Sequence, residues 1–173
     1  MKKLTQNLLN TLVFTILLLF IGCAKQGCTD PVAVNYDSDA KKDNGNCEYI
    51  YGCMNENSVQ YNSLATKDDG TCTFEGSVVF WFDLATSDSL YYSGSDYLDY
   101  YVDGELIGTD SVQYYWNSAP DCSQQYTMTS IKNLGSDTAK SFDYSVVDDL
   151  GYQIWVGTVE FDANQCWAYK LNW

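Results

Sequence analysis

The chain contains no histidine and no arginine, and its nine basic residues stand against 23 acidic ones, a net charge of −14. Without histidine, a histidine-based catalytic triad, an imidazole general base and a histidine-ligated zinc site are all excluded. Nucleic-acid binding depends on lysine and arginine contacts to phosphate, so a chain this acidic is expected to repel nucleic acid. A Gly-rich phosphate loop is also missing from the sequence.

A pair of carboxylates, as in glycosidases, is the catalytic arrangement that the composition leaves open. The candidates are Asp148 and Asp149, but they lie in a predicted turn, where we expect solvated side chains. We therefore predict a protein that is not an enzyme, with a carboxylate-based, glycosidase-like enzyme as a distant alternative.

The N-terminal apolar run is too short to cross a bilayer. It extends over eleven residues, from Thr11 to Ile21, whereas a spanning helix needs about 20. Lys2 and Lys3 precede it, and no acidic residue occurs before Cys23. This pattern predicts a secretory signal peptide at residues 1–22, which has no part in the fold.

Residues 27–49 and 52–74 are two copies of one cysteine-flanked repeat, offset by 25 positions. The copies read GCTDPVAVNYDSDAKKDNGNCEY and GCMNENSVQYNSLATKDDGTCTF. In each copy two cysteines lie 19 positions apart, which predicts the disulfides Cys28–Cys47 and Cys53–Cys72, although four cysteines allow three pairings. Such a link is worth about 3 kcal/mol in the chain-entropy model, and a unit this short needs it because it buries little apolar surface.

Oxygen-bearing side chains recur in both copies and have two interpretations. Calcium takes several carboxylate and carbonyl oxygens, and the candidate ligands are Asp30, Asn35, Asp37, Asp43, Asp68 and Asp69. Asp-Asn-Gly and Asp-Asp-Gly are also common turn sequences, so the same residues are explained as turn formers. Leu64 replaces Asp39 in the second copy, which argues against a strong site shared by both. Calcium is therefore a candidate cofactor, with plain turns as the alternative.

The two copies resemble a repeat of secreted and surface proteins, above all in the Bacteroidetes group. The pattern of that repeat runs Gly-Cys-Thr-Asp, then Ala-x-Asn-Tyr, then Asp-Asp-Gly-x-Cys. The first copy departs from this pattern at Asn44, and the second departs at Ser58 and Gln60. The resemblance covers 48 of the 173 residues. It implies an extracytoplasmic stalk or spacer, similar to calcium-binding thrombospondin type 3 repeats, and it implies no catalysis.

The seven cysteines leave one without a partner. Two pairs are expected in the repeats and Cys122 and Cys166 are predicted to form a third, so Cys23 remains. Residues 20–23, Phe-Ile-Gly-Cys, resemble a bacterial lipobox, with Phe20 where leucine is usual. The resemblance implies a lipidated, palmitate-bearing Cys23, a tether at residues 23–26 and an anchor in the outer membrane, on its periplasmic or its cell-surface face. A cleavable signal with an incidental cysteine is the alternative.

Residues 75–173 predict an all-β domain, because segments rich in Val, Tyr, Phe and Trp alternate with Gly and Asp turns. Eight strands are expected, at Ser77–Leu84, Tyr97–Val102, Leu106–Thr109, Ser111–Trp116, Gln125–Ile131, Lys140–Val147, Tyr152–Phe161 and Cys166–Trp173. Asp103-Gly104 predicts a hairpin turn, Phe142, Tyr144 and Val146 share one strand face, and no segment reads as a long helix. The expected fold is an antiparallel β-sandwich, Ig-like or prealbumin-like, preceded by two small irregular disulfide-stapled repeats.

This domain also resembles small β-sandwich modules that end many Bacteroidetes lipoproteins. The matching elements are Phe80-Trp81, Val102-Asp103-Gly104, Ala119-Pro120-Asp121-Cys122, the Trp-x-Gly-x-Val pattern of residues 155–159, and Cys166. The resemblance implies no particular chemistry.

Twenty aromatic residues fall between positions 75 and 173, some of them in adjacent runs. Because neighbours on a strand face opposite ways, some members of each run must point outward. Tyr114, Tyr115 and Trp116 are therefore candidate ligand-binding residues for a glycan or an envelope protein, with ordinary core and surface packing as the alternative. The predicted function is a non-enzymatic, lipid-anchored envelope protein whose stalk presents an interaction domain. The alternative is a glycan-binding surface lipoprotein.

Overall fold

The computed structural model describes residues 24–173, so the predicted signal peptide and Cys23 lie outside the described residues. Contacts within the chain divide it into two units, one that ends at Ile50 and one that spans Tyr51–Trp173. The first repeat is therefore a unit by itself, and the second repeat belongs to the same unit as the β domain. Between residues 24 and 173, no helix is long and apolar enough to cross a membrane.

The first repeat is irregular apart from one short parallel pair, β1 (Gln26–Gly27) and β2 (Lys42–Asp43). Its buried apolar residues are Cys28 and Ala33. The Sγ atoms of Cys28 and Cys47 are bonded at 2.03 Å. So small an apolar interior makes the disulfide the main constraint on this unit.

The second repeat reproduces five backbone hydrogen bonds of the first. The N–H of Tyr36 donates to Ala33 O, and 25 positions later the N–H of Tyr61 donates to Ser58 O, both at 3.2 Å. A bond of 1.99 Å joins Cys53 and Cys72. The internal repeat seen in the sequence is thus a repeated backbone conformation. The second copy ends at Phe74, which is also the first residue of strand β3.

Two sheets form the β-sandwich of the second unit. The three-stranded sheet has the order β6 (Met128–Gly135), β3 (Phe74–Trp81), β9 (Cys166–Lys170). The four-stranded sheet has the order β5 (Glu105–Ser111), β4 (Tyr97–Val102), β7 (Ala139–Asp148), β8 (Gln153–Asp162). The β3–β9 pair is parallel, and the other pairs of the sandwich are antiparallel. The prediction of an all-β, disulfide-stapled fold is confirmed.

Aromatic side chains from both sheets fill the core between them. The ring centroid of Phe80 on β3 lies 6.2 Å from that of Tyr100 on β4 and 5.3 Å from that of Tyr144 on β7. Phe161 is fully buried and meets Phe142 edge-on at 5.3 Å. Burial of each such side chain contributes about 1.5–3 kcal/mol. The predicted inward face of β7 is confirmed, because Phe142, Tyr144 and Val146 are all buried.

A helix, α1 (Leu84–Ser93), occurs where the sequence predicts none. The Asp83 carboxylate accepts the N–H of Thr86 at 3.1 Å, and Gly94 ends the helix at a φ of 95°. An acid before the helix and a glycine after it are the usual caps. The buried residues are Thr86, Ser87 and Leu90. This face is largely polar, so the apolar periodicity that normally reveals a helix is missing.

The predicted strand Ser111–Trp116 is wrong. Strand β5 ends at Ser111, and the N–H of Tyr114 folds back to donate to Ser111 O at 3.0 Å. The strand expected from Gln125 begins instead at Met128. The intervening residues 112–127 form a loop, and this loop carries the candidate site.

Candidate functional site

A cavity of about 530 Å³ opens beside the loop of residues 112–127. Its aromatic lining consists of Tyr114, Tyr115, Trp116 and Tyr126, and its other lining residues are Thr109, Asp110, Gln113 and Met128. Small-molecule sites usually have volumes of about 300–1,000 Å³ and mostly apolar walls. The structure therefore brings the three aromatic residues singled out in the sequence into one cavity and adds further residues to it.

The tyrosines of the cavity present their rings to solvent. Tyr114 is 69% exposed and Tyr126 is 87% exposed, while Tyr115 is also exposed and Trp116 is half-buried. Tyr126 has a φ of 63°, a left-handed conformation that costs a non-glycine residue about 1–2 kcal/mol. The fold thus holds a large apolar ring outward in a strained conformation, a feature often found at functional sites.

The loop is attached to the sandwich at three points. The Ser87 hydroxyl of α1 donates to the carbonyl of buried Val112 at 2.6 Å. The N–H of Trp116 donates to Phe82 O, just beyond β3, at 3.0 Å. The disulfide Cys122–Cys166, at 2.06 Å, links the loop to β9. A loop fixed in this way loses little conformational freedom when a ligand binds.

Asp110 supplies the negative charge of the cavity. It is half-buried near the end of β5, and one carboxylate oxygen accepts the N–H of Ser111 at 2.8 Å. Its other oxygen accepts no hydrogen bond from residues 24–173. Burial raises the pKa of Asp110 above its ordinary value, although the hydrogen bond from Ser111 opposes this rise. The cavity therefore contains a carboxylate with unused acceptor capacity.

Two smaller depressions adjoin the cavity. One, of about 320 Å³, is lined by Leu84, Ser87, Asp88, Tyr91, Gln113 and Tyr115. The other, of about 390 Å³, is lined by Tyr97, Thr109, Asp110, Ser111, Gln113 and Tyr114. Gln113 lines all three spaces, so they form one continuous surface that runs from α1 across the loop to β5.

The candidate calcium ligands form hydrogen bonds within their own turns. Five aspartates each accept a backbone N–H two residues further on, at 2.8–3.1 Å: Asp30, Asp37, Asp43, Asp68 and Asp69. Asp30 also accepts the hydroxyl of Tyr49 at 2.8 Å, and Asn35 accepts the N–H of Glu48 at 2.9 Å. Within the described part of the chain, no three acidic or cysteine side chains lie together so that they could hold a metal. Calcium binding stays a prediction.

The two copies keep these hydrogen bonds while the residue type changes. Asp37 and its counterpart Asn62 each accept the backbone N–H two residues on, both at 3.0 Å. Asn35 and its counterpart Gln60 each accept the N–H 13 residues on, both at 2.9 Å. These positions therefore need an oxygen acceptor, and a negative charge is not required for the turn.

Asp148 and Asp149 fix a turn, and the prediction that both are solvated is wrong for Asp148. Asp148 is only 5% exposed. It accepts hydrogen bonds from the Ser95 hydroxyl at 3.0 Å and from the N–H groups of Leu150 and Tyr152 at 3.1 and 2.7 Å. Asp149 accepts the N–H of residue 96, and this bond lowers its pKa. Both side chains act as acceptors that join this turn to the start of β4.

Sequence reasoning missed Asp110, Tyr126 and Met128 as parts of the site. Asp110 lies on β5, whereas Met128 begins β6, and the fold brings them together across the loop. Tyr126 was expected inside a strand, and no local signal marks its left-handed conformation. Such residues are placed by tertiary structure, which a local sequence pattern does not reveal.

Comparison with protein-family models, with curated proteins and with solved structures finds no match for this chain. Its own residues must therefore support any functional assignment. Those residues are the aromatic cavity, the three disulfides and the N-terminal sequence that precedes the described part of the chain.

Proposed function

We propose that this protein is a non-enzymatic, lipid-anchored protein of the outer membrane whose β-sandwich binds a ligand in the aromatic cavity. The observation that carries the proposal is the cavity of about 530 Å³, with four aromatic side chains on a loop fixed at three points. Preformed concave surfaces with apolar walls and a few polar groups are the usual form of ligand sites. The disulfide-stapled repeats precede the sandwich in the chain and serve as its stalk.

The cysteine pairing supports the lipid anchor. Six of the seven cysteines form the disulfides of the repeats and the sandwich, which leaves Cys23 for modification. Cys23 follows an apolar run and a small residue, as a lipidated cysteine does in a lipobox. Acyl chains on Cys23 would hold the protein on the periplasmic or cell-surface face of the membrane.

The lining of the cavity supports binding rather than catalysis. Glycosidases use two carboxyl groups about 5–9.5 Å apart. Among the described residues that line the cavity of about 530 Å³, Asp110 is the one carboxylate. The chain also has no histidine to act as a general base.

Glycan binding is the second, narrower candidate function. Tyr114 and Tyr126 expose 69% and 87% of their surface, which leaves their ring faces open to a ligand. A tyrosine ring combines an apolar face with a polar hydroxyl, as a pyranose combines C–H faces with hydroxyl edges. A protein partner is the other ligand that this surface would accept.

A retention assay on envelope fragments tests ligand binding. The labelled protein carries Cys23→Ser, so that lipid does not hold it on the fragments, and it is compared with the same protein carrying Tyr114→Ala and Tyr126→Ala. Both tyrosines are exposed, so we expect the double variant to fold normally and to lose most of its retention. A matched Tyr152→Ala variant removes an exposed tyrosine that lines none of the three depressions, and it should bind normally. Equal retention of all variants would contradict the proposal.

A further inference from the structure

The three adjoining depressions share lining residues. Gln113 lines all of them, Tyr114 lines the spaces of about 530 and 390 Å³, and Tyr115 lines the spaces of about 530 and 320 Å³. Because neighbouring spaces share walls, a linear molecule can pass from one to the next without leaving the surface. This continuity favours an extended chain over a single compact molecule.

The lining favours sugar units within that chain. Each depression has at least one tyrosine: Tyr91 lines the smallest, Tyr97 the intermediate one, and Tyr126 the largest. In the largest depression Met128 is the one aliphatic side chain among the described residues that line it. Aromatic rings beside amide, hydroxyl and carboxylate groups suit a ligand with apolar faces and polar edges, as sugars have. A protein partner with an aliphatic anchor residue would instead need a pocket lined by aliphatic side chains.

The charges of the surface favour a cationic ligand. Asp110 lines two of the depressions and Asp88 the third, and no lysine among the described residues lines any of them. The whole chain carries a net charge of −14, so an anionic ligand would be repelled. One oxygen of Asp110 accepts no hydrogen bond from residues 24–173, and half-burial destabilises its charge. A cation beside this carboxylate would relieve that cost.

We infer that the ligand is an oligosaccharide containing amino sugars, with its rings stacked on the tyrosines and an ammonium group paired with Asp110. This inference rests on the proposed function, because it identifies the ligand of the same cavity. Tyr114 and Tyr126 supply affinity for any pyranose chain. Asp110 supplies the preference for the amine.

Isothermal titration of the Cys23→Ser protein with three oligosaccharides tests the inference. The ligands are a glucosamine hexamer, an N-acetylglucosamine hexamer and a galacturonate hexamer, which are cationic, neutral and anionic. Because a charge-assisted hydrogen bond would be made by the amine and not by the acetylated sugar, we expect the amine to bind about tenfold or more tighter than the acetylated hexamer. The anionic hexamer should not bind at the same concentrations.

Variants separate a specific pairing from general attraction to an acidic protein. Asp110→Asn should abolish the preference for the amine, so that the glucosamine and N-acetylglucosamine hexamers bind with similar affinity. Asp103→Asn is the matched control: it removes one charge from the β4–β5 turn, seven residues from Asp110, and asparagine tolerates the φ of 55° found there. The preference should survive this change. Tyr114→Ala should weaken both hexamers, and Tyr114→Phe should restore them.

Three results would overturn the inference: equal affinity for the amine and the acetylated hexamer, a preference that persists in Asp110→Asn, or no binding of any hexamer. If no hexamer binds while the envelope retention still depends on Tyr114 and Tyr126, the ligand is a protein or another envelope component, and the proposed function stands. If that retention is also independent of the two tyrosines, both proposals fail.

Discussion

Cys122 and Cys166 are joined through their Sγ atoms at 2.06 Å, across 44 positions of sequence. The backbone N–H of Cys122 also lies 3.0 Å from the Sγ of Cys166. This pair connects the cavity loop to β9, a strand that is itself paired with β3 in the three-stranded sheet. The geometry of the cavity and the stability of the sandwich therefore depend on the same link.

Removal of this disulfide should destabilise the sandwich. We expect the double variant Cys122→Ala/Cys166→Ala to lose about 2–5 kcal/mol of unfolding free energy, because the unfolded chain is no longer constrained. Chemical denaturation without reductant measures the loss. The control is Cys28→Ala/Cys47→Ala, which lies in the other unit and should leave the sandwich transition unchanged. An unchanged denaturation midpoint in Cys122→Ala/Cys166→Ala would show that this disulfide does not stabilise the sandwich.

Replacement of Cys23 by serine should release the protein from membranes. The resemblance of residues 20–23 to a lipobox makes Cys23 the predicted acceptor of a lipid, and no spanning helix occurs among residues 24–173. Fractionation of cells after a high-salt wash should find the wild type with membranes and the variant in the soluble fraction. If the variant remains with the membranes, the assignment of the anchor is wrong.

The ion pair between Asp83 and Lys170 should contribute stability that depends on pH. Their Oδ2 and Nζ atoms lie 2.6 Å apart, and the hydrogen bond from Lys170 is the main cause that lowers the pKa of Asp83 from 3.8 to about 2. Because the folded-state pKa is lowered, the stabilisation is present above about pH 3.8 and is lost as the pH falls through about 2. Asp83→Asn keeps an N-cap for α1 and removes the charge.

Thermal melts of the wild type and of Asp83→Asn between pH 2 and pH 7 measure this contribution. We expect the wild type to melt at the higher temperature near neutral pH and the two melting temperatures to converge near pH 2. Asp83→Ala removes the cap as well, so it should melt below Asp83→Asn at every pH. A constant difference between the wild type and Asp83→Asn across the range would contradict the assignment to this carboxylate.

Gly76→Ala should destabilise the sandwich more than Gly108→Ala. A Cβ at Gly76 would lie 2.6 Å from the backbone oxygen of Asp162, so the strands would have to move apart. A Cβ at Gly108 would first meet the Sδ of Met128 at 2.9 Å, and that flexible side chain can move away. Overpacking of a rigid contact costs about 1–3 kcal/mol. Denaturation midpoints give the ranking, and equal losses would contradict it.

Calcium titration distinguishes the two interpretations of the acidic repeats. Asp, Asn and Gln replace one another between the copies while the backbone hydrogen bonds remain, so the interpretation as turn formers predicts that millimolar calcium leaves the melting temperature unchanged. The calcium hypothesis expects the opposite, since extracellular calcium modules bind at about 10⁻⁴–10⁻³ M. A rise with calcium that exceeds the rise with magnesium, and that is reduced by Asp37→Asn, would establish calcium binding.

Features that depend on local spacing could be predicted from the sequence. The pairing of cysteines 19 positions apart and the alternation of buried and exposed residues along β7 are local patterns, and the structure reproduces both. Helix α1 could not be predicted from periodicity, because Thr86 and Ser87 are buried on it as polar residues. Asp83 and Gly94 cap the helix, but aspartate and glycine are also common in turns, so their presence does not identify a helix.

The candidate site was predictable only in part. The run from Tyr114 to Trp116 was noticeable as adjacent aromatics, yet it lies on a loop and not on the expected strand. Asp110 belongs to the site because the fold half-buries it beside the loop, and this burial raises the pKa of its carboxyl group. Burial depends on tertiary packing, which the sequence pattern does not show. Tyr126 lines the cavity with its backbone in a left-handed conformation, which no residue near it in the sequence indicates.

The last residue of each repeat differs between the two copies, and this difference determines which repeat can be duplicated without exposing a core side chain. Tyr49 donates its hydroxyl to Asp30 inside the first repeat, whereas its counterpart Phe74 is 3% exposed and belongs to the sandwich core. Duplication of the first repeat would insert a unit whose last residue is satisfied within that unit. Duplication of the second repeat would instead place a phenylalanine from the sandwich core where no sandwich covers it. Relatives with longer stalks should therefore carry tyrosine in every copy except the last.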